Sequence, residues 1–155
     1  MTKTEGEATT TLQRQTHGHL WHRGKFTVTP NGLQLKGMPS LGEWGTALRL
    51  ISTARSGMQW AVGDLLVHAE SRKWDDAVIE EVMDSTNLKR STLINLRAVA
   101  KAFTFKRRHR DLRWSHDQLL TGLAQDDQDA LLAESAEAKW GWDELREHVR
   151  DRRAR

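Results

Sequence analysis

The stretch that decides the fold runs from Asp84 to Arg113, DSTNLKRSTLINLRAVAKAFTFKRRHRDLR. Leu93, Leu96, Val99, Ala100 and Phe103 recur there at helical spacing, so one side of a helix is apolar and Arg90, Asn95, Arg97 and Lys101 fall off that seam. The cluster Asp84-Ser85-Thr86-Asn87 breaks any helix before it, because short polar side chains bond the nearby backbone. Asn87 tolerates the left-handed conformation that a tight interhelical turn requires. Two helices joined in this way form a helix-turn-helix, whose second helix presents its first turns to the edges of bases. In that frame Val82, Leu88, Leu93 and Leu96 are the buried positions, and Met83 stands where a small residue usually allows close helix crossing.

The same stretch is strongly cationic. Between Ser85 and Arg113 lie nine Lys and Arg residues and one acid, Asp111. Solubility alone can make a helix face basic, but such a face normally interleaves signs. The coincidence of charge with a recognition-helix register therefore favours double-stranded DNA as the partner. Lys89, Arg90, Ser91, Thr92 and Asn95 fall in the first turns and are expected to contact bases: Arg and Lys suit guanine, Asn suits adenine, and hydroxyls suit base or phosphate. Arg97, Lys101, Lys106, Arg107, Arg108 and Arg110 lie farther along and are expected to neutralise phosphates.

Working outward, Trp74, Val78 and Val82, flanked by Ile79 and Met83, predict the helix before the turn. Leu41, Trp44, Leu48 and Ile51 predict an earlier helix stopped at Gly57, and Val62, Leu65, Leu66 and Ala69 another. KFTVTPNGLQLKG, with Phe26 and Val28 before a Pro-Asn-Gly turn and Leu33 and Leu35 after it, predicts a short β-hairpin. Beyond the basic run, Ser115 and Gln118 match a capping box ahead of Leu119, Leu120 and Leu123. Leu132, Ala136 and Trp140 mark one further helix and Trp142, Leu145 and Val149 a last one, with Gly141 as a stop and Asp143 as an N-cap. From Gln125 to Val149 eight acids face two bases, so this part is acidic where the centre is basic.

The expected fold is mainly α: a helix-turn-helix domain with a short N-terminal β-hairpin and C-terminal helices. Residues 1–22, rich in Thr, Gln, Glu and Gly, read as a disordered arm; 23–38 as the hairpin; 39–113 as the helix-turn-helix core; and 114–155 as an acidic helical part with a basic tail. A net charge of +3 means that clustering, not total charge, carries the electrostatics. The chain has no cysteine, which excludes disulfides and thiolate metal sites and agrees with a cytoplasmic location on the nucleoid. No apolar run approaches the roughly 18 residues of a membrane span, so no membrane role is expected.

Three short patterns follow in order: W-x-x-G-D-L-L at Trp60–Leu66, T-L-I-N at Thr92–Asn95 and W-S-H at Trp114–His116. In these the sequence resembles the LmbU-like family of bacterial helix-turn-helix regulators and related phage and plasmid proteins, over roughly Val28 to Arg150. The resemblance implies sequence-specific DNA binding and regulation of nearby genes. The chain departs from the family pattern at Asp117, where a second His is usual, and at Asp143, where Ser is usual.

Other features carry less. His17, His19 and His22 form H-x-H-x-x-H, but with no cysteine and no acid beside them a flexible polar arm is the better reading than a metal site. His116 near Asp111 and Asp117 reads as a capping or packing residue at a helix start, and no nucleophile elbow, phosphate loop or carboxylate pair points to an enzyme, so no catalytic residue and no cofactor is expected. In W-x-x-G-D, Trp60 is expected to pack, Gly63 to permit close helix approach and Asp64 to make a structural hydrogen bond. Of the seven tryptophans, Trp44, Trp60, Trp74, Trp140 and Trp142 are expected in the core, while Trp21 and Trp114 stay open between packing and nucleic-acid contact. One recognition helix offers few base contacts, so a homodimer on a two-fold operator is expected, joined through the C-terminal helices or the N-terminal hairpin. A non-specific or single-strand DNA binder of genome maintenance and a phage or plasmid protein-interaction adaptor are the alternatives.

Overall fold

A computed structural model describes residues 20–155. Six α-helices follow a three-stranded antiparallel sheet among them, so the fold is mainly α as expected. The first eighteen residues of the predicted arm, including His17, and His19 after them lie outside the described residues. None of the described helices is long and apolar enough to cross a membrane. Two compact units are formed, one ending at Ile51 and the other beginning at Ser52.

In the first unit, β1 (Trp21–Arg23), β2 (Phe26–Thr29) and β3 (Gly32–Leu35) form the sheet in that order. The predicted hairpin forms, with Phe26 opposite Leu35 and Val28 opposite Leu33. The Thr29 hydroxyl steadies the turn by accepting from the Asn31 amide and donating to the Gly32 carbonyl. Trp21 and His22, assigned to the arm, instead form a third strand, with Trp21 opposite Val28. The signal was hidden because three residues are too short for alternation to register. Helix α1 (Leu41–Arg72) starts on a reciprocal cap: Ser40 Oγ accepts from the Glu43 amide at 3.2 Å and Glu43 accepts from the Ser40 amide at 2.7 Å. That amide, with Lys25 Nζ at 3.0 Å, holds the Glu43 carboxyl below its usual range. Only Phe26 and Ala47 are buried hydrophobics among the described residues of this unit.

The expected break at Gly57 does not occur, and α1 continues to Arg72. A mid-helix glycine costs about 1 kcal/mol, and in the second unit neighbouring contacts outweigh it. Ser56 Oγ accepts the Trp114 amide at 2.8 Å, Trp60 meets Trp114 edge to face at 6.5 Å, and Gly63 is buried. Lys73, in left-handed conformation, ends the helix. Helix α2 (Asp76–Ser85) is capped by Asp75, which accepts the Ala77 amide at 2.8 Å. The turn has Asn87 at φ 57°, the left-handed geometry expected of it, and the Leu88 amide bonds Thr86 Oγ1. Helix α3 (Arg90–Ala102) follows, with Leu93, Leu96, Val99 and Ala100 buried.

Two details of the helix-turn-helix register differ from expectation. Val82 and Leu88 are exposed, at 58% and 45%, while Ile79 and Met83 are half-buried. The inward stripe of α2 is thus displaced from Val82 to its neighbours, which a ten-residue helix with apolar residues on both positions leaves ambiguous in sequence. The tryptophans also divide otherwise: Trp60 and Trp140 pack against the core, but Trp44, Trp74 and Trp142 are exposed. Trp74 lies edge-on to His68 and Trp142 lies under the Arg146 guanidinium, each held by a surface partner in place of a core.

After a 3-10 turn (Phe105–Arg107) come α4 (Trp114–Leu120), α5 (Gln125–Ala138) and α6 (Trp142–Arg153). Leu96, Val99 and Phe103 of the α3 segment join Trp114, Leu120, Leu131, Leu132, Leu145 and Val149 in one core. Neither predicted cap near these helices forms as expected. Helix α4 begins a residue before Ser115, and His116 Nδ1 accepts the Arg113 amide in place of the Ser115-Gln118 box. At α6, Gly141 occupies the N-cap position predicted for Asp143, and Glu144 reaches back to its amide at 2.7 Å.

In the second unit α1 approaches α3 closely at Gly63. A methyl there would sit 2.5 Å from the Leu96 carbonyl oxygen and 2.8 Å from the Ala100 Cβ, both fixed parts of α3. Alanine normally stabilises a helix relative to glycine. Gly63→Ala is expected to destabilise the protein instead, by roughly 1–3 kcal/mol, as a denaturant titration would read. A rise in stability would show that α1 and α3 do not approach this closely.

Candidate nucleic-acid interface

The outward face of α3 is built from residues about a turn apart. Ser91, Ile94 and Ala98 are exposed and Asn95 is half-buried, opposite the stripe Leu93, Leu96 and Ala100. Of the residues expected to contact bases, Ser91 and Thr92 are open and Lys89 occupies the N-cap position without a side-chain cap bond. No acid lies in the first turn of α3, so the partial positive charge of its amides is uncompensated within the helix. Ile94 and Ala98 were not expected at this face. Their small apolar surfaces suit a thymine methyl, and counting the helical turn outward from Asn95 is the signal that finds them.

Two cations flank the face. Arg90 bonds Glu80 of α2, and Lys101 Nζ bonds Glu70 of α1 at 2.7 Å. Each bond holds its carboxyl below the usual range, with Arg97 adding a smaller pull on Glu70. These pairs are open to solvent, where such contacts contribute little and are screened by salt. Lys89, Lys106 and Arg110 are exposed and make no side-chain ion pair among the described residues.

Arg107 and Arg108, expected at phosphates, are turned into the protein. Arg108 pairs both guanidinium nitrogens with Asp64, at 2.8 and 2.6 Å, and donates through Nε to the Phe103 carbonyl at 2.9 Å. Its Cζ lies 3.9 Å from the Trp60 ring centroid, and only 10% of its side chain is exposed. Arg107 donates to the Ala102 carbonyl at 2.6 Å and to Gln128 and Asp129 of α5. The last carbonyls of α3, which have no partner within the helix, are thereby satisfied by two cations. W-x-x-G-D acquires the roles expected of it: Trp60 lies under Arg108, Gly63 admits α3 and Asp64 receives the guanidinium.

Trp114 is buried, so of its two readings packing is the one the structure supports. His116 is buried with Nδ1 on the Arg113 amide and Nε2 3.2 Å from the Trp140 carbonyl, which fits a neutral ring carrying its proton on Nε2. Asp117 is 2% exposed, and its Oδ1 has no hydrogen-bond partner among the described residues. Burial pushes its pKa up to about 7, against smaller opposing pulls from its own backbone amide, Arg108 and Arg107. A second basic surface lies on α6, where Arg146, Arg150 and Arg153 line an open cleft of about 650 Å³ together with Asp143 and Glu147. Among the described residues no group of three His, Cys, Asp or Glu is placed to hold a metal, and His22 bonds Thr27 Oγ1 at 2.8 Å.

No protein-family model and no solved structure matches the chain. A curated protein, the transcriptional regulator NovE of Streptomyces niveus, is 29% identical to it over 121 residues, covering 78% of this chain and 52% of that protein. The chain thus spans about half the length of the curated relative it matches.

Two predictions follow from the interior polar groups. Arg108→Lys keeps the charge but loses the fork on Asp64 and the flat contact with Trp60. It is expected to cost about 2 kcal/mol in thermal or denaturant unfolding, and an unchanged stability would show that the network is incidental. Asp117 is held protonated in the folded state above its unfolded pKa, so folding takes up a proton between about pH 4 and about pH 7. Its contribution is therefore most favourable at the acid end and is lost as pH rises through that window. Asp117→Asn should unfold at higher temperature than the wild type at pH 8 and match it near pH 4, a difference of roughly 1–3 kcal/mol. Parallel pH profiles for the two proteins would refute this.

Proposed function

We propose that the protein is a sequence-specific double-stranded DNA-binding regulator of transcription, acting through the helix-turn-helix of α2 and α3 with two copies on a two-fold-related site. One observation carries this reading: after a turn with Asn87 left-handed, α3 offers Ser91, Ile94, Asn95 and Ala98 outward between two cations held only by exposed ion pairs. Small and amide side chains at the centre with cations at the margins match a helix that reads bases while its flanks meet phosphate. The likeness to NovE, a transcriptional regulator, and the motif resemblance to LmbU-like regulators support the same reading.

In this arrangement Asn95 pairs with adenine, Ser91 and Thr92 bond base or phosphate, and Ile94 contacts a thymine methyl. Lys89 and Arg90 reach guanine or adjacent phosphates, Arg90 by releasing Glu80. Arg97, Lys101, Lys106 and Arg110 neutralise phosphates, whereas Arg107 and Arg108 hold α3 in position and stay off the DNA. No catalytic residue, cofactor or metal takes part, and the site of action is the bacterial nucleoid.

Selection from a random duplex library, followed by titration of the enriched sequence, tests this. The selected duplex should bind about a thousandfold tighter than scrambled duplex at physiological salt. Asn95→Ala should relax preference at one base-pair position by about tenfold or more, and Lys106→Ala with Arg110→Ala should weaken all sequences alike while reducing the salt slope by about two. Equal affinity for selected, scrambled and single-stranded DNA would replace this reading with a non-specific binder, and absence of binding at low salt would replace it with a protein-interaction adaptor.

A further inference from the structure

The first unit leaves most of its large apolar side chains exposed. Leu20, Leu33, Leu35, Met38, Leu41, Trp44, Leu48 and Ile51 are all exposed, against the buried pair Phe26 and Ala47. Scattered surface leucines need no explanation, but these are ordered in two groups. Leu41, Trp44, Leu48 and Ile51 follow one another at spacings of three, four and three along α1, the seam by which two helices pack side by side. Leu33 and Leu35, two residues apart, share one face of β3, and β3 is an edge strand whose four residues are all exposed. Between sheet and helix an open cleft of about 400 Å³ is lined in part by Trp21, Phe26, Ala47 and Leu50, so this small core is incompletely filled.

We infer that the α1 stripe Leu41, Trp44, Leu48 and Ile51, with Leu33 and Leu35 of β3, is a self-association surface covered by the same surface of a second copy. Six side chains at these exposures present on the order of 600 Å², most of the roughly 800 Å² that each partner buries in a standard interface. Residues 1–19 contribute only Met1, Ala8 and Leu12 as apolar side chains, too few to cover that area themselves. No charged residue interrupts the stripe, since Glu43 and Arg49 fall between its positions, and a seam of this kind is self-complementary about a two-fold axis. The inference names the surface for the two-copy part of the reading above, and its test needs no DNA.

Sedimentation velocity of the full chain at micromolar concentration should give twice the chain mass. Leu48→Glu should give a single-chain mass with unchanged helical circular dichroism, and Leu33→Glu should weaken association at least tenfold. Phe105→Glu, which adds the same charge at an 83% exposed residue outside this unit, should leave the dimer intact. A monomeric wild type, a dimer that survives both Leu48→Glu and Leu33→Glu, or a dimer lost equally in Phe105→Glu would each overturn the inference. A dimer that forms as described but prefers no DNA sequence would leave it standing and remove the regulator reading alone.

Discussion

The Arg108 guanidinium is the contact on which the second unit depends. Four demands meet on it: a bidentate carboxylate from Asp64, the face of Trp60, the Phe103 carbonyl at the end of α3 and exclusion from water. No other side chain satisfies all four, because only a planar fork can pair with a carboxylate edge-on while lying flat on a ring. Gly63 lies one residue from Asp64 and three from Trp60, so the same turn of α1 that receives Arg108 also admits the backbone of α3 at Leu96. Charge, stacking and close approach therefore fix one crossing geometry together. Arg107 repeats the device on the other side, joining the Ala102 carbonyl to Gln128 and Asp129 of α5.

This changes what the basic run means. Its density of Lys and Arg reads in sequence as one patch with two duties, bases first and phosphates after. In the folded chain the adjacent residues Arg107 and Arg108 are internal ties, and Lys106 and Arg110 on either side of them are open. Net charge along a sequence does not report which cations meet acids from distant segments: Asp64 is 44 residues from Arg108 and Asp129 is 22 from Arg107. The acidic character of the C-terminal helices is partly explained by the same pairing, since Asp127 and Asp129 of α5 each hold an arginine.

Much of the architecture was legible because its signals are local. The hairpin follows from alternation about Pro-Asn-Gly, the α3 stripe from 3.6-residue spacing, and the left-handed turn from Asn87. What escaped the sequence is set by tertiary contact. Whether α1 breaks at Gly57 is decided by Ser56, Trp60 and Gly63 meeting later segments, and whether Val82 or Met83 faces inward depends on a rotation of about 100° of a short helix. Exposed Trp44, Trp74 and Trp142 illustrate the same limit, for an aromatic beside an apolar stripe can lie at the surface, against a histidine or an arginine, as readily as in a core. Of the α3 face, Ser91, Thr92 and Asn95 were visible from their positions in the register, while Ile94 and Ala98 were masked because apolar residues are read as core by default.

The cations that remain on α3 are poised differently from Arg108, and the difference is one of solvent. Arg90 and Lys101 are more than half exposed and meet exposed carboxylates, so exchanging Glu80 or Glu70 for a phosphate would involve little change in hydration. Moving Arg108 would strand Asp64, uncover Trp60 and leave the Phe103 carbonyl unpaired, all of which a single phosphate could not repay. The exposed pairs also offset two of the three cations of α3, Arg90 and Lys101, which restrains self-repulsion within a cluster so rich in Lys and Arg. Two arginines turned into the protein and two solvent-exposed, ion-paired cations thus divide the basic residues into those that fix α3 in the fold and those left open at its margins.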